Sequence, residues 1–323
     1  MAPSGDWKIP LAAQPRPADY AFDLDRALAA VLSLSARVPE GAFTADALGT
    51  ERAGNGVLIG ADGLVLTIGY LITEAESVWL TTQDGRSVPG HVVGFDAVTG
   101  FGLVQALGRL DCPVLPLGRS AALQVGQGAI FAGTGGRSRA VAAKVVARQS
   151  FAGYWEYVLD DAIFTAPSHP HWGGAGLIGP NGDLLGIGSL QLQQGGSEAR
   201  ALNMAVPIDL LTPILDDLTS RGRVARPPRP WLGLYATEID DEVVVMGLAK
   251  SGPAAAADLR SGDTVLDVAG APVPDLGGFF RQVWALGEAG VAVPLTVRRD
   301  GRTLAVTVQS ADRERFLLAP RFH

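Results

Sequence analysis

The sequence predicts a mainly β protein, in which a large all-β domain precedes a smaller α+β domain. Short β-branched runs separated by turn pairs recur between residues 56 and 188, and no helical pattern of useful length interrupts them. A basic, proline-rich stretch at residues 221–229 follows and is typical of an extended linker. The chain has 323 residues, enough for about two domains.

Composition excludes several classes of protein. Apolar residues make up 47% of the chain, charged residues 18%, and there are 41 Gly and 21 Pro, so disorder throughout, collagen and coiled coils are excluded. A net charge of −7 without a long basic run argues against nucleic-acid binding. Cys112 is the only cysteine, which excludes an intrachain disulfide and a multi-cysteine zinc site. We expect no cofactor.

The N-terminal residues predict the compartment. They contain no uninterrupted apolar stretch of signal-peptide length, and no later window approaches the ~20 apolar residues of a membrane span. We therefore expect no membrane span and a cytoplasmic protein, or a periplasmic one if an original leader has been removed.

The elements of the all-β domain follow from local patterns. Residues 23–30 favour a short helix, and residues 32–38 alternate apolar and polar side chains, as a half-buried strand does. Further strands are predicted at residues 57–59, 64–68, 77–82 and 91–95, with Asp-Gly and Asn-Gly turns among the strands of this domain. Residues 209–218 predict an amphipathic helix.

The α+β domain is predicted from strands at residues 243–247, 264–268, 293–298 and 303–308, with a helix at 275–286. The predicted domain boundaries are an arm at 1–27, the all-β domain at 28–220, the linker at 221–229, the α+β domain at 230–311 and a tail at 312–323.

Seven motifs lie in collinear order along the chain. They are GNGVLIGADGLVLT at 54–67, DGRSVPGHVVGFDAVTGFGLV at 84–104, LPLGRSAALQVGQ at 115–127, HPHWGGAGLIGPNGDLLGI at 169–187, NMAVPIDLL at 203–211, WLGL at 231–234 and SGPAAAADLRSGDTVLDVAG at 251–270. This order resembles the HtrA (Deg) family, including DegP-like proteins. The resemblance implies a trypsin-like double β-barrel followed by a PDZ domain.

The resemblance also implies a Ser, His and Asp triad, and this chain departs from it at all three places. Tyr70 stands where the family has histidine, Gly100 where it has aspartate and Gly173 where it has the nucleophilic serine. A register shifted by one residue would place Trp172 at the serine position, which also lacks a hydroxyl. Glycine has no side chain to react, and a phenol with a pKa near ~10 is a poor base at neutral pH. These replacements predict an inactive serine protease homologue, a pseudoprotease.

The PDZ resemblance implies a peptide-binding site. In PDZ domains a short apolar-Gly-apolar loop presents amides to a peptide C-terminal carboxylate, and the peptide adds as a strand. Here the loop residues are Leu232, Gly233 and Leu234, and Tyr235 begins the receiving strand. On the bordering helix, Phe279 and Val283 form one stripe and Phe280 and Trp284 the next, and the sequence does not separate the inward stripe from the one that faces the peptide. Phe279 and Val283 are the predicted side-chain contacts.

The leading hypothesis is a non-catalytic HtrA-like protein that binds peptides or protein C-termini, with a scaffold, regulatory or chaperone-like role in protein quality control. One alternative is an active, ATP-independent HtrA-type serine endopeptidase. A second is a metal-binding regulator that uses His169 and His171, which could also form a rebuilt hydrolase with Ser168.

The N-terminal arm predicts an assembly. It carries Trp7, Tyr20 and Phe22. Family members use aromatic residues of this segment to build trimers, so the resemblance implies a homotrimer.

Overall fold

The structure is a computed structural model that describes residues 7–194 and 200–318, and it confirms the mainly β fold. The strands of the described residues are β1 (Val31–Arg37), β2 (Glu51–Leu58), β3 (Leu64–Ile68), β4 (Ser77–Thr81), β5 (Ser87–Phe95), β6 (Phe101–Ala106), β7 (Gly128–Ala132), β8 (Ala140–Gly153), β9 (Tyr157–Ala166), β10 (Gly176–Ile178), β11 (Leu184–Gln194), β12 (Arg200–Pro207), β13 (Leu234–Ile239), β14 (Glu242–Leu248), β15 (Thr264–Val268), β16 (Ala271–Pro272), β17 (Ala292–Arg299) and β18 (Arg302–Gln309). The α-helices are α1 (Leu24–Leu28), α2 (Ala45–Leu48), α3 (Leu215–Arg221), α4 (Pro253–Ala256) and α5 (Leu276–Ala285).

The first six strands close into a barrel in the order β1-β2-β3-β6-β5-β4. Strand β1 shows why: Leu32, Leu34 and Ala36 are buried while Ser35 and Arg37 are exposed, as the period of two predicts. Closure pairs every strand on both sides and leaves no open sheet edge.

A second closed barrel follows in the order β10-β11-β12-β9-β8-β7. Its interior is an apolar cluster that includes Phe131, Val141, Ile163 and Leu177, and Trp7 of the N-terminal arm packs against this cluster.

The remaining strands form a separate antiparallel sheet in the order β13-β14-β15-β17-β18, with β16 paired to β15. Helix α5 and this sheet enclose an apolar core of their own. The described chain divides into two compact units: one holds the residues up to Gln149 together with Asp161–Val224, and the other holds Ser150–Asp160 with Ala225–Leu318. The tip of the β8–β9 hairpin therefore belongs with the second unit, which the predicted boundaries did not anticipate.

The predicted helix at residues 209–218 is wrong. A 3₁₀ turn covers Ile208–Leu210, and α3 begins only at Leu215. Pro213 lies in the middle of the predicted helix, where it lacks an N–H donor and disfavours helical geometry at the preceding residue. Helix α3 also runs to Arg221, the first residue of the predicted linker.

No helix among the described residues is long and apolar enough to cross a membrane.

Candidate functional site: the cleft between the barrels and the PDZ loop

A cavity of about 410 Å³ opens between the two barrels. Tyr70 and Asn55 line it from the first barrel, and the loop from His169 to Gly173 lines it from the second. Concave sites of this size accommodate small ligands or a short segment of a peptide.

Tyr70 and Gly173 line this cavity, whereas Gly100 does not. Gly69, next to Tyr70, donates its N–H to the carbonyl oxygen of Gly100 at 2.6 Å. A Cβ atom on Gly173 would lie 2.7 Å from the hydroxyl of Tyr70. That hydroxyl donates to the carbonyl oxygen of Ser189 at 2.9 Å. Burial raises the pKa of Tyr70 above its ordinary value, so the phenol stays protonated at neutral pH.

Asn55 anchors the loop from the first barrel, and sequence reasoning did not single it out. Its side-chain amide donates to the carbonyl oxygens of His171 and Gly173, both at 3.1 Å. Its backbone N–H donates to the Gly173 carbonyl at 2.8 Å. Its side-chain oxygen accepts the N–H of Thr134 at 3.0 Å. The sequence signal for this role was the GNG motif at residues 54–56. The glycines on either side of Asn55 have no side chains, so the backbone there can lie close to another segment.

His169 is fully buried and both of its ring nitrogens are in use. Nε2 contacts the carbonyl oxygen of Arg139 at 2.9 Å, and Nδ1 accepts the N–H of His171 at 3.0 Å. Burial lowers the pKa of His169 to about 4, so the ring is neutral. The described residues contain no group of three or more side chains suited to a metal ion, and His169 keeps no nitrogen free for one.

His171 and Ser168, the other candidates of this loop, do not join His169 in a triad. The His171 ring lies against Trp7, with ring centroids 4.3 Å apart, and burial lowers its pKa, with a smaller contribution from the Arg139 charge. The Ser168 hydroxyl accepts from the side-chain amide of Gln191 at 3.1 Å. His171 is the imidazole of this loop that faces the cavity without a ring hydrogen bond among the described residues.

The PDZ loop directs three amides to one point. The N–H groups of Leu232, Gly233 and Leu234 donate to the carboxyl group of Glu156 at 2.9, 2.7 and 3.2 Å. Gly233 has a φ of +73°, a conformation that favours glycine. Tyr235 follows in β13.

Phe279 and Val283 do not stand open to a ligand as expected. They are 0% and 1% exposed and belong to the apolar core beneath α5. Ala152 and Val158 of the β8–β9 hairpin pack against the same core. Phe280, of the alternative stripe, is buried in the same core. The β8–β9 hairpin that packs against this core lies about 120 residues away in sequence and left no local signal.

Family models match both parts of the chain. The trypsin-like peptidase domain matches residues 54–187 and the PDZ domain matches residues 230–309. The chain is thus a trypsin-like peptidase domain joined to a PDZ domain. This order of domains is the one that the HtrA/Deg resemblance implies.

The relatives are bacterial. The chain is 29% identical to the putative serine protease HhoA of Synechocystis sp. over 80% of this chain and 70% of that protein. It is 27% identical to a probable periplasmic serine endoprotease DegP-like of Pseudomonas fluorescens, over 78% of this chain and 54% of that protein. It is 26% identical to the serine endoprotease DegS of Salmonella typhimurium, over 91% of this chain and 86% of that protein.

Solved structures share the fold. The HtrA-type protease AlgW with a decapeptide matches with a TM-score of 0.54 and 21% identity, over 92% of this chain and 98% of that one. A serine endoprotease from Yersinia pestis matches with a TM-score of 0.50 and 21% identity, over 89% and 95%.

These comparisons correct two predictions. The prediction that the chain is not an enzyme is contradicted, because the relatives are named serine proteases and serine endoproteases. The cytoplasmic assignment is also contradicted, because DegP-like relatives are named periplasmic.

Proposed function

We propose that this chain acts on polypeptides as a periplasmic HtrA-type endoprotease that recognises protein C-termini through its PDZ domain. The observation that carries the proposal is the convergence of the Leu232, Gly233 and Leu234 amides on a single carboxyl group. Three convergent N–H donors match the two oxygens of a peptide C-terminus.

Binding of a C-terminus at this loop would align the peptide with β13. The peptide backbone would then add as a strand, so that main-chain hydrogen bonds supply affinity and side-chain pockets supply selectivity. The solved AlgW structures, whose descriptions include a decapeptide and a tripeptide, support this assignment by analogy of fold.

We assign cleavage to the cavity between the barrels, because the relatives are named endoproteases and two of the three triad positions, Tyr70 and Gly173, line this cavity. Gly173 carries no hydroxyl, so the attacking group is a water molecule in this proposal. His171 is the proton acceptor, because its lowered pKa keeps the ring neutral at pH 7 and it lines the cavity. The water oxygen bonds to the peptide carbonyl carbon while its proton passes to His171. That proton then passes to the leaving amine as the C–N bond breaks.

The test is hydrolysis of unfolded casein by the purified full chain. We expect peptide fragments to accumulate above a blank and His171→Asn to reduce the rate at least tenfold. His91→Asn, on the outer part of β5, is the matched control and should leave the rate unchanged. Absence of hydrolysis by the unmodified chain would refute the endoprotease proposal. Equal rates for the two variants would refute the role of His171.

A further inference from the structure

The carboxyl group in the PDZ loop belongs to the chain itself. Glu156 lies between β8 and β9, at the tip of their hairpin, and has a φ of +62°. It accepts all three amide hydrogen bonds of the loop at 2.7–3.2 Å, although it is 76 to 78 residues away in sequence. A left-handed conformation is uncommon for glutamate, so the surrounding contacts hold this tip in place.

The backbone of the tip is engaged as well. The carbonyl oxygen of Tyr154 accepts the N–H of Ala236 at 3.0 Å. Tyr154 lies two residues before Glu156, and Ala236 lies two residues after Leu234. The ring of Tyr154 also meets that of Tyr235 edge-on, with centroids 6.0 Å apart. A terminal carboxyl group in the loop and a backbone bond two residues away are the contacts that strand addition of a peptide would make.

The sides of the hairpin tip complete the contact. Ala152 and Val158 pack against the apolar core that includes Phe279 and Val283. Arg281 of α5 donates to the Asp160 carboxylate at 2.7 Å and to the Ser150 hydroxyl at 3.1 Å. The hairpin tip therefore contacts the rest of this unit in four ways: through the Glu156 carboxyl group, a backbone hydrogen bond, apolar side chains and an ion pair.

We propose that the β8–β9 tip is an internal ligand of the PDZ domain, and that a protein C-terminus binds only by displacing Glu156 from the loop. This inference rests on the proposed recognition of C-termini. An internal ligand competes at a high effective concentration, so it lowers the apparent affinity for a free peptide by the fraction of molecules in which the loop is open.

The test measures binding of fluorescein-labelled decapeptides that end in Val, Leu or Phe with a free carboxylate, by anisotropy. The full chain, Glu156→Ala and the conservative Glu156→Gln are compared, with the exposed Glu288→Gln as the matched control. We expect Glu156→Ala to bind at least tenfold more tightly than the unmodified chain, Glu288→Gln to match the unmodified chain, and the C-terminally amidated decapeptides not to bind.

Hydrogen exchange provides the second measurement. The amides of residues 232–234 should exchange faster in Glu156→Ala than in the unmodified chain, while circular dichroism shows the same strand content. Equal peptide affinity for the unmodified chain and Glu156→Ala would overturn the internal-ligand inference and leave C-terminal recognition standing. No binding by either protein, with both folded, would overturn C-terminal recognition and the inference with it.

Discussion

The backbone around Gly174 in the cleft loop leaves no room for a side chain. Its φ is +73°, and a Cβ atom there would lie 1.9 Å from the carbonyl oxygen of Asn55. A backbone carbonyl oxygen cannot move aside as the end of a flexible side chain can, so the loop itself would have to shift. We therefore expect Gly174→Ala to lower the free energy of unfolding by about 3 kcal/mol.

Urea denaturation followed by circular dichroism measures this loss. Gly128→Ala is the matched control, because that glycine lies in a β-strand with no atom near its Cβ position. Its effect should stay within about 0.5 kcal/mol. A similar small change for both variants would show that the loop is not held against Asn55.

His169 predicts a loss of stability in mild acid. Its pKa is about 4 in the folded protein, whereas an unfolded histidine has a pKa of ~6.5. The unfolded chain therefore binds a proton more readily, and stability falls as the pH drops from about 6.5 towards about 4. At pH 5 the expected cost is about 2 kcal/mol relative to pH 8.

The measurement is the free energy of unfolding at pH 8 and pH 5 for the unmodified chain and for His169→Gln. Glutamine does not titrate, so the variant should lose about 2 kcal/mol less between the two pH values. His91→Asn is the control for a surface histidine. The prediction fails if His169→Gln and the unmodified chain lose equal stability.

Single residues also mark how far the sequence predicts the site. Tyr70 and Gly173 were located by counting along motifs, because motif spacing survives substitution, and the structure brings them together. Asn55 and Glu156 were missed. Each acts through partners more than 70 residues away, and a single Asn or Glu in a sequence is ordinarily a solvated surface residue.

At the scale of elements, strands were predicted well where one face is buried. The alternation at residues 32–38 corresponds to β1 (Val31–Arg37). The helix predicted at residues 209–218 begins only at Leu215. The apolar spacing indicated a longer helix, but Pro213 disrupts helical geometry before that point. The β8–β9 hairpin is long, and its tip belongs to the second compact unit, which local periodicity does not report.

The hairpin tip also predicts a pH dependence of peptide binding. Burial, the largest cause, raises the pKa of Glu156 to about 7, against the lowering effects of the three amides and of the Arg313 charge. An undocked glutamate has a pKa of ~4.3. The docked state therefore binds the proton more readily. Its advantage is fully present below about 4.3 and is lost as the pH rises through about 7.

We therefore expect the decapeptides to bind the unmodified chain about thirtyfold more tightly at pH 8.5 than at pH 5.5. The peptide carboxylate, with a pKa near ~3.5, stays ionised at both values. Glu156→Gln should bind equally at the two pH values. A pH dependence that persists in Glu156→Gln would assign it to a different group.

At the scale of the whole molecule, each compact unit has an apolar core of its own. The chain shares its architecture with HtrA-type structures at about one fifth sequence identity. This is possible because the fold requires only apolar residues at alternate strand positions and glycines where two backbone segments lie close together. The fold therefore persists at low sequence identity, whereas the chemistry of the cleft depends on a few side chains.

The N-terminal arm carries the last prediction, a homotrimer. Trp7 is occupied within the chain, since it packs on the second barrel and against His171. Tyr20 and Phe22 form a half-exposed aromatic pair with ring centroids 5.4 Å apart, and they are the aromatic residues of the arm that remain to contact a second copy.

Light scattering at micromolar concentration should give three times the mass of the 33.6 kDa chain. Tyr20→Ser with Phe22→Ser should shift the mass towards the monomer, whereas Trp79→Ser, at a more exposed aromatic residue of the first barrel, should not. A monomer mass for the unmodified chain would contradict the trimer and leave the aromatic pair a role only within its own chain.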